Sequence, residues 1–209
     1  MGWLIFGFLA FCGIGIFLVM KSIDHQNNRK KALGSIDDEN YSRTYTSTDG
    51  STKIFFDETS EKVKIGYISI DNFKDSNVTP VIKTYDFKDI VDVEVNIDGS
   101  TVSKVSKGDS ILGATVGGAI GGGIGAIIGS SSASSKTSDY INYIHLRICF
   151  EDFDTPFYDV AFYSGVVYDP DLPTSIKKSS PEAHKSLKEA ETWFRYFKLA
   201  IRNAEKVAH

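Results

Sequence analysis

The sequence predicts a mainly β domain closed by one long C-terminal helix. This is an α+β antiparallel barrel or sandwich, carried behind an N-terminal transmembrane helix and interrupted by a glycine-rich helical hairpin. Three observations predict it. Apolar residues alternate with period two in short runs from Lys53 to Ser164, the period becomes helical after Pro181, and two long stretches, 1–20 and 111–129, carry no charged side chain.

The first stretch, MGWLIFGFLAFCGIGIFLVM, has the length an α-helix needs to cross ~30 Å of hydrocarbon. A cleaved signal peptide would want a basic segment before the apolar run and a small-residue cleavage site after it, and neither is present. Basic residues follow instead, at Lys21, Arg29, Lys30 and Lys31, so the positive-inside rule places the remainder of the chain in the cytoplasm. Residues 21–52 mix both charge signs with Asn, Ser and Gly and read as a juxtamembrane tether. The four cations either stop transfer or also touch anionic lipid headgroups.

From Lys53 the β pattern begins. KIFFD precedes KVKIGYISID, where Val63, Ile65 and Tyr67 point one way and Lys64, Gly66, Ile68 and Ile70 the other. VIKTYDF, IVDVEVNI and TVSKVS follow. The alternation of Val91, Val93, Val95 and Ile97 against Asp92, Glu94 and Asn96 is that of an antiparallel strand with one wet face, and Asp98-Gly99 after it is a hairpin signal. YINYIHLRICF sets Ile144, Leu146, Ile148 and Phe150 on one side, and FYDVAFYS is the last strand. Ser179, Pro181 and Glu182 offer an N-cap, a first-turn proline and a capping-box partner. Beyond them Ala183, Leu187, Ala190, Phe194, Phe197, Ile201 and Ala204 form one apolar stripe, widened by Trp193.

The stretch ILGATVGGAIGGGIGAIIG places Gly113, Gly117, Gly121, Gly125 and Gly129 four residues apart, on one face of a helix where another backbone can approach closely. Glycine costs a water-exposed helix about 1 kcal/mol per residue against alanine, so lipid or protein packing has to compensate. A phosphate loop fails here because SSKT at 134–137 has serine where the second glycine belongs. A dinucleotide fingerprint on Gly121, Gly123 and Ala126 lacks its preceding strand. A single helix would put the strands before and after it on opposite sides of a bilayer. A hairpin turning near Gly121–Gly123 returns both ends to one side, provided the flanking strands share a sheet. Such a hairpin could dip into lipid, pack on the anchor or mediate self-association.

Composition narrows the function. A net charge of −4, from 23 basic and 27 acidic residues, lacks the basic excess a nucleic-acid binder carries, so no nucleic acid is expected. Two cysteines, Cys12 and Cys149, make no disulfide framework. His25, His145, His184 and His209 share no metal-ligand spacing, and His145 reads as an exposed or rim residue, so neither a metal nor a cofactor is expected. Asp169 and Asp171 in YDPDLP are accounted for by turn chemistry. The aromatic, acidic stretch DFDTPFYDVAFYSGVVYDP suggests a partner groove beside the terminal helix, formed by Phe157, Tyr158, Tyr163 and Trp193.

YDFKDIVDVEVNIDGSTVSK, GDSILGATVGGAIGGGIGAIIG, YINYIHLRICF and AETWFRYFKLAI together resemble a family of bacterial and phage membrane-anchored proteins. In that family a pleckstrin-homology-like domain is interrupted by a glycine-zipper hairpin. The resemblance implies an anchor at 1–20, a tether at 21–52 and a pleckstrin-homology-like domain at 53–209 with its insertion at about 108–136. It implies a binding or scaffold module with no catalytic residues to carry over. Two functions follow as expectations. The first is a membrane-anchored cytoplasmic binding or scaffold protein with membrane lipid and a protein partner or itself as ligands. The second is a membrane-active or pore-associated effector, of a phage-defence or lysis kind, assembled through its glycine hairpins.

Overall fold

The computed structural model describes residues 24, 26–37, 41–69, 78–108, 139–165 and 175–207. The expected anchor, Lys21 and the five zipper glycines lie outside the described residues, as do Asp169 and Asp171. Among the described residues no helix is long and apolar enough to cross a membrane.

Two four-stranded antiparallel sheets face each other. The first runs β1 (Arg43–Thr46), β2 (Thr52–Asp57), β3 (Lys62–Tyr67), β4 (Val81–Asp86), in sequence order. A 3-10 turn at Phe87–Asp89 leads into the second sheet, built from β5 (Ile90–Ile97), β6 (Ser100–Ser106), β8 (Tyr143–Phe150) and β9 (Phe157–Ser164). Its spatial order is β6-β5-β8-β9. A short ladder, β7 (Tyr140–Ile141) with β10 (Ile176–Lys177), flanks it. The 27-residue helix Pro181–Val207 closes the core.

The alternation read from the sequence sets the inward faces. Ile54, Phe56, Val63, Ile65 and Tyr85 from the first sheet meet Val93, Val95, Ile144, Leu146, Ile148, Phe150, Val160 and Phe162 from the second. Val91 departs from the predicted stripe and is only half-buried, because the register between β5 and β8 shifts beside it. On the helix, Ala183, Leu187, Ala190, Trp193, Phe197, Ala200 and Ile201 are buried, with Phe197 edge-on to Phe56 at 5.4 Å. Ser180, rather than Ser179, caps the helix by accepting the Ala183 N–H at 3.1 Å, which leaves Glu182 out of the cap.

The two sheets are tied at both margins. The free edge of β9 is covered when Thr48 N donates to Ala161 O at 2.9 Å and Thr52 Oγ1 to Asp159 O at 3.2 Å. At the other margin Tyr85 stacks on Phe150 at 4.0 Å and its hydroxyl meets Tyr158 and Asp152. Covering the β9 edge in this way removes an unpaired strand template.

The first sheet begins earlier than the sequence suggests. Arg43–Thr46, expected in the tether, pairs along β2 from Arg43↔Phe56 to Thr46↔Lys53. A helical stretch at 26–34, also expected in the tether, lies against the outer face of the first sheet.

Candidate functional site

That helical stretch forms a second, small apolar cluster. Leu33 is fully buried and Ile36 nearly so, against Phe55 and Ile68, with Tyr41 and Val78 packed alongside. Phe55 alternates with Ile54 and Phe56, so it points away from the main core and needs this cover. Gly66 makes the approach close. A Cβ there would stand 2.4 Å from Ile36 Cδ1 and 3.7 Å from Leu33 Cδ2.

Polar contacts fix both ends of the segment. Gln26 Nε2 donates to Thr48 O at 3.3 Å and Arg29 Nη2 to Asp49 O at 3.4 Å, both in the β1–β2 turn. That turn is itself rigid, since Asp49 Oδ1 accepts from Ser47 Oγ, Ser51 Oγ and Ser51 N at 2.6, 2.8 and 3.0 Å. At the C-terminal end, Lys64 Nζ donates to Asp37 O at 2.6 Å and the buried Lys53 to Ile36 O at 3.5 Å, placing cations on terminal carbonyls. Of the cations expected at lipid headgroups, Lys30 and Lys31 are exposed, while Arg29 is half-buried against the turn.

The strands on either side of the glycine stretch are fastened together. Asp98 and Gly99 turn with φ of 48° and 81°, the left-handed pair that a two-residue hairpin requires. Asp98 Oδ1 accepts the Asn142 and Tyr143 N–H groups at 2.9 and 2.8 Å, and Asp98 N donates to Tyr143 O at 3.1 Å. Asp98 therefore fastens the β5–β6 turn to the start of the adjacent strand β8. From that turn β6 returns along β5, so the last described residue before the zipper glycines, Gly108, lies near Glu205 on the helix's final turns. Asp139, after them, accepts from Lys178 N at 2.9 Å, beside the helix start.

The outer face of the second sheet is polar. Arg147 makes two bonds of 2.8 Å to Asp159, which hold its guanidinium well above its ordinary pKa, and it lies 4.5 Å over the Phe157 ring. Lys104 bridges Asp92 and Glu94 at 3.3 and 3.7 Å. His145, expected at an exposed rim, is buried, because the β1–β2 turn carrying Thr48 lies across β9 at Ala161, its strand partner. Burial lowers its pKa, opposed by Asp159, so the ring is neutral at physiological pH. Burial also pushes the Cys149 thiol up, to about 12, with a hydrogen bond to Asp92 adding to it.

The expected partner groove is corrected by burial. Tyr158, Tyr163 and Trp193 belong to the core, and only Phe157 is exposed, at 46%. From Val160 to Ser164 both faces of β9 are buried, so aromatic content there reports packing. The exposed ring that the sequence reading missed is Phe153, at 107%, on the β8–β9 turn. Its sequence signal was the Asp-Phe-Asp-Thr-Pro turn pattern, in which an apolar side chain has no neighbour to pack on. Among the described residues no group of three His, Cys, Asp or Glu side chains could hold a metal ion, and His184 Nδ1 lies 2.7 Å from Ser180 O.

Comparison with known proteins agrees with this architecture. The family model for "glycine zipper containing PH domain" matches residues 42–164. An "Immunity protein" of Bacillus phage SPbeta is 30% identical over 192 residues, covering 90% of this chain and 88% of that protein. The "SPbeta prophage-derived uncharacterized membrane protein YomJ" of Bacillus subtilis (strain 168) is also 30% identical over 192 residues, covering 90% of this chain and 78% of its own length. No solved structure matches. The match begins at residue 42, so it takes in β1, and it runs through the glycine-rich stretch to the end of β9. The chain belongs to the family of glycine zipper containing PH domains.

Proposed function

We propose that this protein is a membrane-anchored, non-enzymatic binding module of a phage-immunity kind, its PH domain held at a fixed pose beside the inner leaflet to engage a protein partner. One observation carries the reading: the segment that follows the expected anchor is docked on the domain through Leu33, Ile36 and Gly66. From Met20 to Gln26 the backbone reaches at most ~20 Å, so the docked end and the β1–β2 turn stay close to the bilayer. Lys30 and Lys31, exposed on that segment, suit anionic headgroups at up to ~1 kcal/mol each. A floppy tether would leave orientation free. A docked one presents the same surfaces to a partner each time, which lowers the entropy cost of association. The names of the relatives support membrane attachment and an immunity role.

Host cells producing the intact chain should lower the plating efficiency of a related phage. Leu33→Asp, which undocks the segment without touching the main core, should lose that protection while the chain stays in the membrane fraction. Protection unchanged by Leu33→Asp overturns the fixed-pose reading. The membrane-active reading makes a different prediction. If purified protein leaks dye from liposomes, and Gly121→Leu with Gly125→Leu stops the leak, assembly of glycine hairpins in lipid is the function. Sealed vesicles support the binding module.

A further inference from the structure

We infer that the β8–β9 turn, residues 151–156, with Phe157 beside it, is the partner-docking surface of the domain. Its partner is a protein offering an apolar pocket rimmed by lysine or arginine. The inference rests on the binding-module reading and names the surface and the chemistry of what it binds.

Phe153 projects entirely into solvent from a turn that is held on all sides. Asp152 organises it. Its Oδ2 accepts from Lys83 Nζ and the Tyr85 hydroxyl, each at 2.7 Å, and its Oδ1 accepts from Asp154 N at 2.8 Å and Thr155 N at 3.2 Å. Glu151 N donates to Asp89 O and Phe150 N to Pro156 O, both at 2.9 Å. An apolar ring on a flexible tip would fold back onto the surface. Here the backbone is fixed with the ring outward, so the ordering cost of presenting it has been met before any partner arrives. Phe157, half-exposed beneath the Arg147 guanidinium, enlarges the aromatic surface. Exposed aromatics on rigid supports are the usual anchors of protein interfaces.

Charge selects the occupant. Asp154 is exposed and makes no ion pair among the described residues, and Glu151 is exposed with a single partner, Lys107, at 3.1 Å. Glu151, compensated by Lys107, and Asp154, which has no ion pair among the described residues, therefore place carboxylates on both sides of Phe153, the second of them open to a partner. An anionic lipid surface would repel them, whereas a cationic rim around an apolar pocket would complement both the ring and its flanks.

The test uses the full chain in nanodiscs as bait for a displayed library of random peptides, beside Phe153→Ser and Asp154→Lys baits. Phe153 touches nothing it would release, so the variants should melt with the parent. Net-positive peptides carrying apolar residues should be enriched. Enrichment should fall about tenfold to a hundredfold on Phe153→Ser, the range for losing one buried phenylalanine, and the charge preference should weaken on Asp154→Lys. Equal enrichment on the Phe153→Ser bait overturns this surface while leaving the domain a binding module. No enrichment over empty nanodiscs overturns both. A blue shift of Phe153→Trp emission over the parent in anionic nanodiscs alone makes lipid the occupant and overturns the protein partner.

Discussion

Replacing Leu33 with alanine should open the docked segment and leave the PH domain folded. Leu33 is fully buried, yet its cluster of Leu33, Ile36, Phe55 and Ile68 is separate from the main core, which lies on the other face of the first sheet. A buried leucine truncated to alanine costs about 2–5 kcal/mol, and because one wall of this site is a short helix able to detach, the loss falls on local opening. At 1.4 kcal/mol per tenfold, that corresponds to roughly 30-fold to several-thousand-fold faster exchange of the amides the segment protects. Ser35 and Ile36, whose N–H groups bond to Ala32 O and Leu33 O at 3.3 Å, report it directly. Hydrogen exchange read by mass spectrometry should show those peptides accelerating while peptides of β5 and β8 do not change. Equal acceleration in both would mean that the segment and the domain unfold as one unit. No change in either would mean the docking contact carries no stability, and the fixed-pose reading would fail with it.

Three further outcomes follow from the same contacts. Asp98→Ala should destabilise the domain by about 1–3 kcal/mol in chemical denaturation, through left-handed strain and two amides losing their acceptor, and Asp98→Asn should recover most of it. Lys83 first, then Tyr85, hold the Asp152 carboxyl well below its ordinary range, so its stabilisation is complete above the unfolded value near 3.8 and is lost as pH falls through the folded value. Acid titration of stability should therefore steepen below about pH 4 in the parent and flatten in Asp152→Asn. With Cys12 replaced by serine, Cys149 should alkylate at pH 8 at least a hundredfold more slowly than in denaturant, on the order expected for a thiol pushed up to about 12; comparable rates would contradict its burial.

The main domain was legible because its strands obey one simple rule. β5, β8 and β9 each present apolar residues at every second position, and Asp98-Gly99 supplies a turn whose left-handed geometry favours those residues. The helix stripe was equally clear, with Phe197 at its centre. The docked segment was not, since Leu33 and Ile36 are two apolar residues among charged ones and reveal a face only once Phe55 is known to need covering. Phe55 follows Ile54 and precedes Phe56, and three adjacent apolar residues do not say which face is bare. Tyr158, Tyr163 and Trp193 were misplaced for a related reason: aromatic, acidic composition does not distinguish a groove from a strand covered on both faces. Phe153 had the opposite problem, because exposure of a single ring depends on the turn beneath it.

The feet of the glycine segment lead to the last prediction. β6 and β8 both pair antiparallel with β5, so they run parallel to each other, and the chain must travel the length of the sheet between them. Two rulers bracket the distance. About seven residues at ~3.3 Å, with two strand spacings across, give roughly 25 Å. Along the helix, from the start beside Asp139 to Glu205 beside Gly108, the rise at 1.5 Å per residue is ~36 Å. Because β6 and β8 share one sheet, a chain that entered a bilayer between them should return to the side it left. A hairpin turning near Gly121–Gly123 keeps its own ends ~10 Å apart. Residues 109–112 and 130–138 then have to cover the rest, and extended they reach ~17 and ~33 Å. Spin labels at Lys107→Cys and Asp139→Cys, with Cys12 and Cys149 replaced by serine, should report a separation of about 25–36 Å. Labels at Gly113→Cys and Gly129→Cys should report about 10 Å for the hairpin, against ~24 Å for one continuous helix lying along the domain. The longer value in the second pair would end the hairpin and leave the sheet topology intact; a short value in the first would contradict the topology itself.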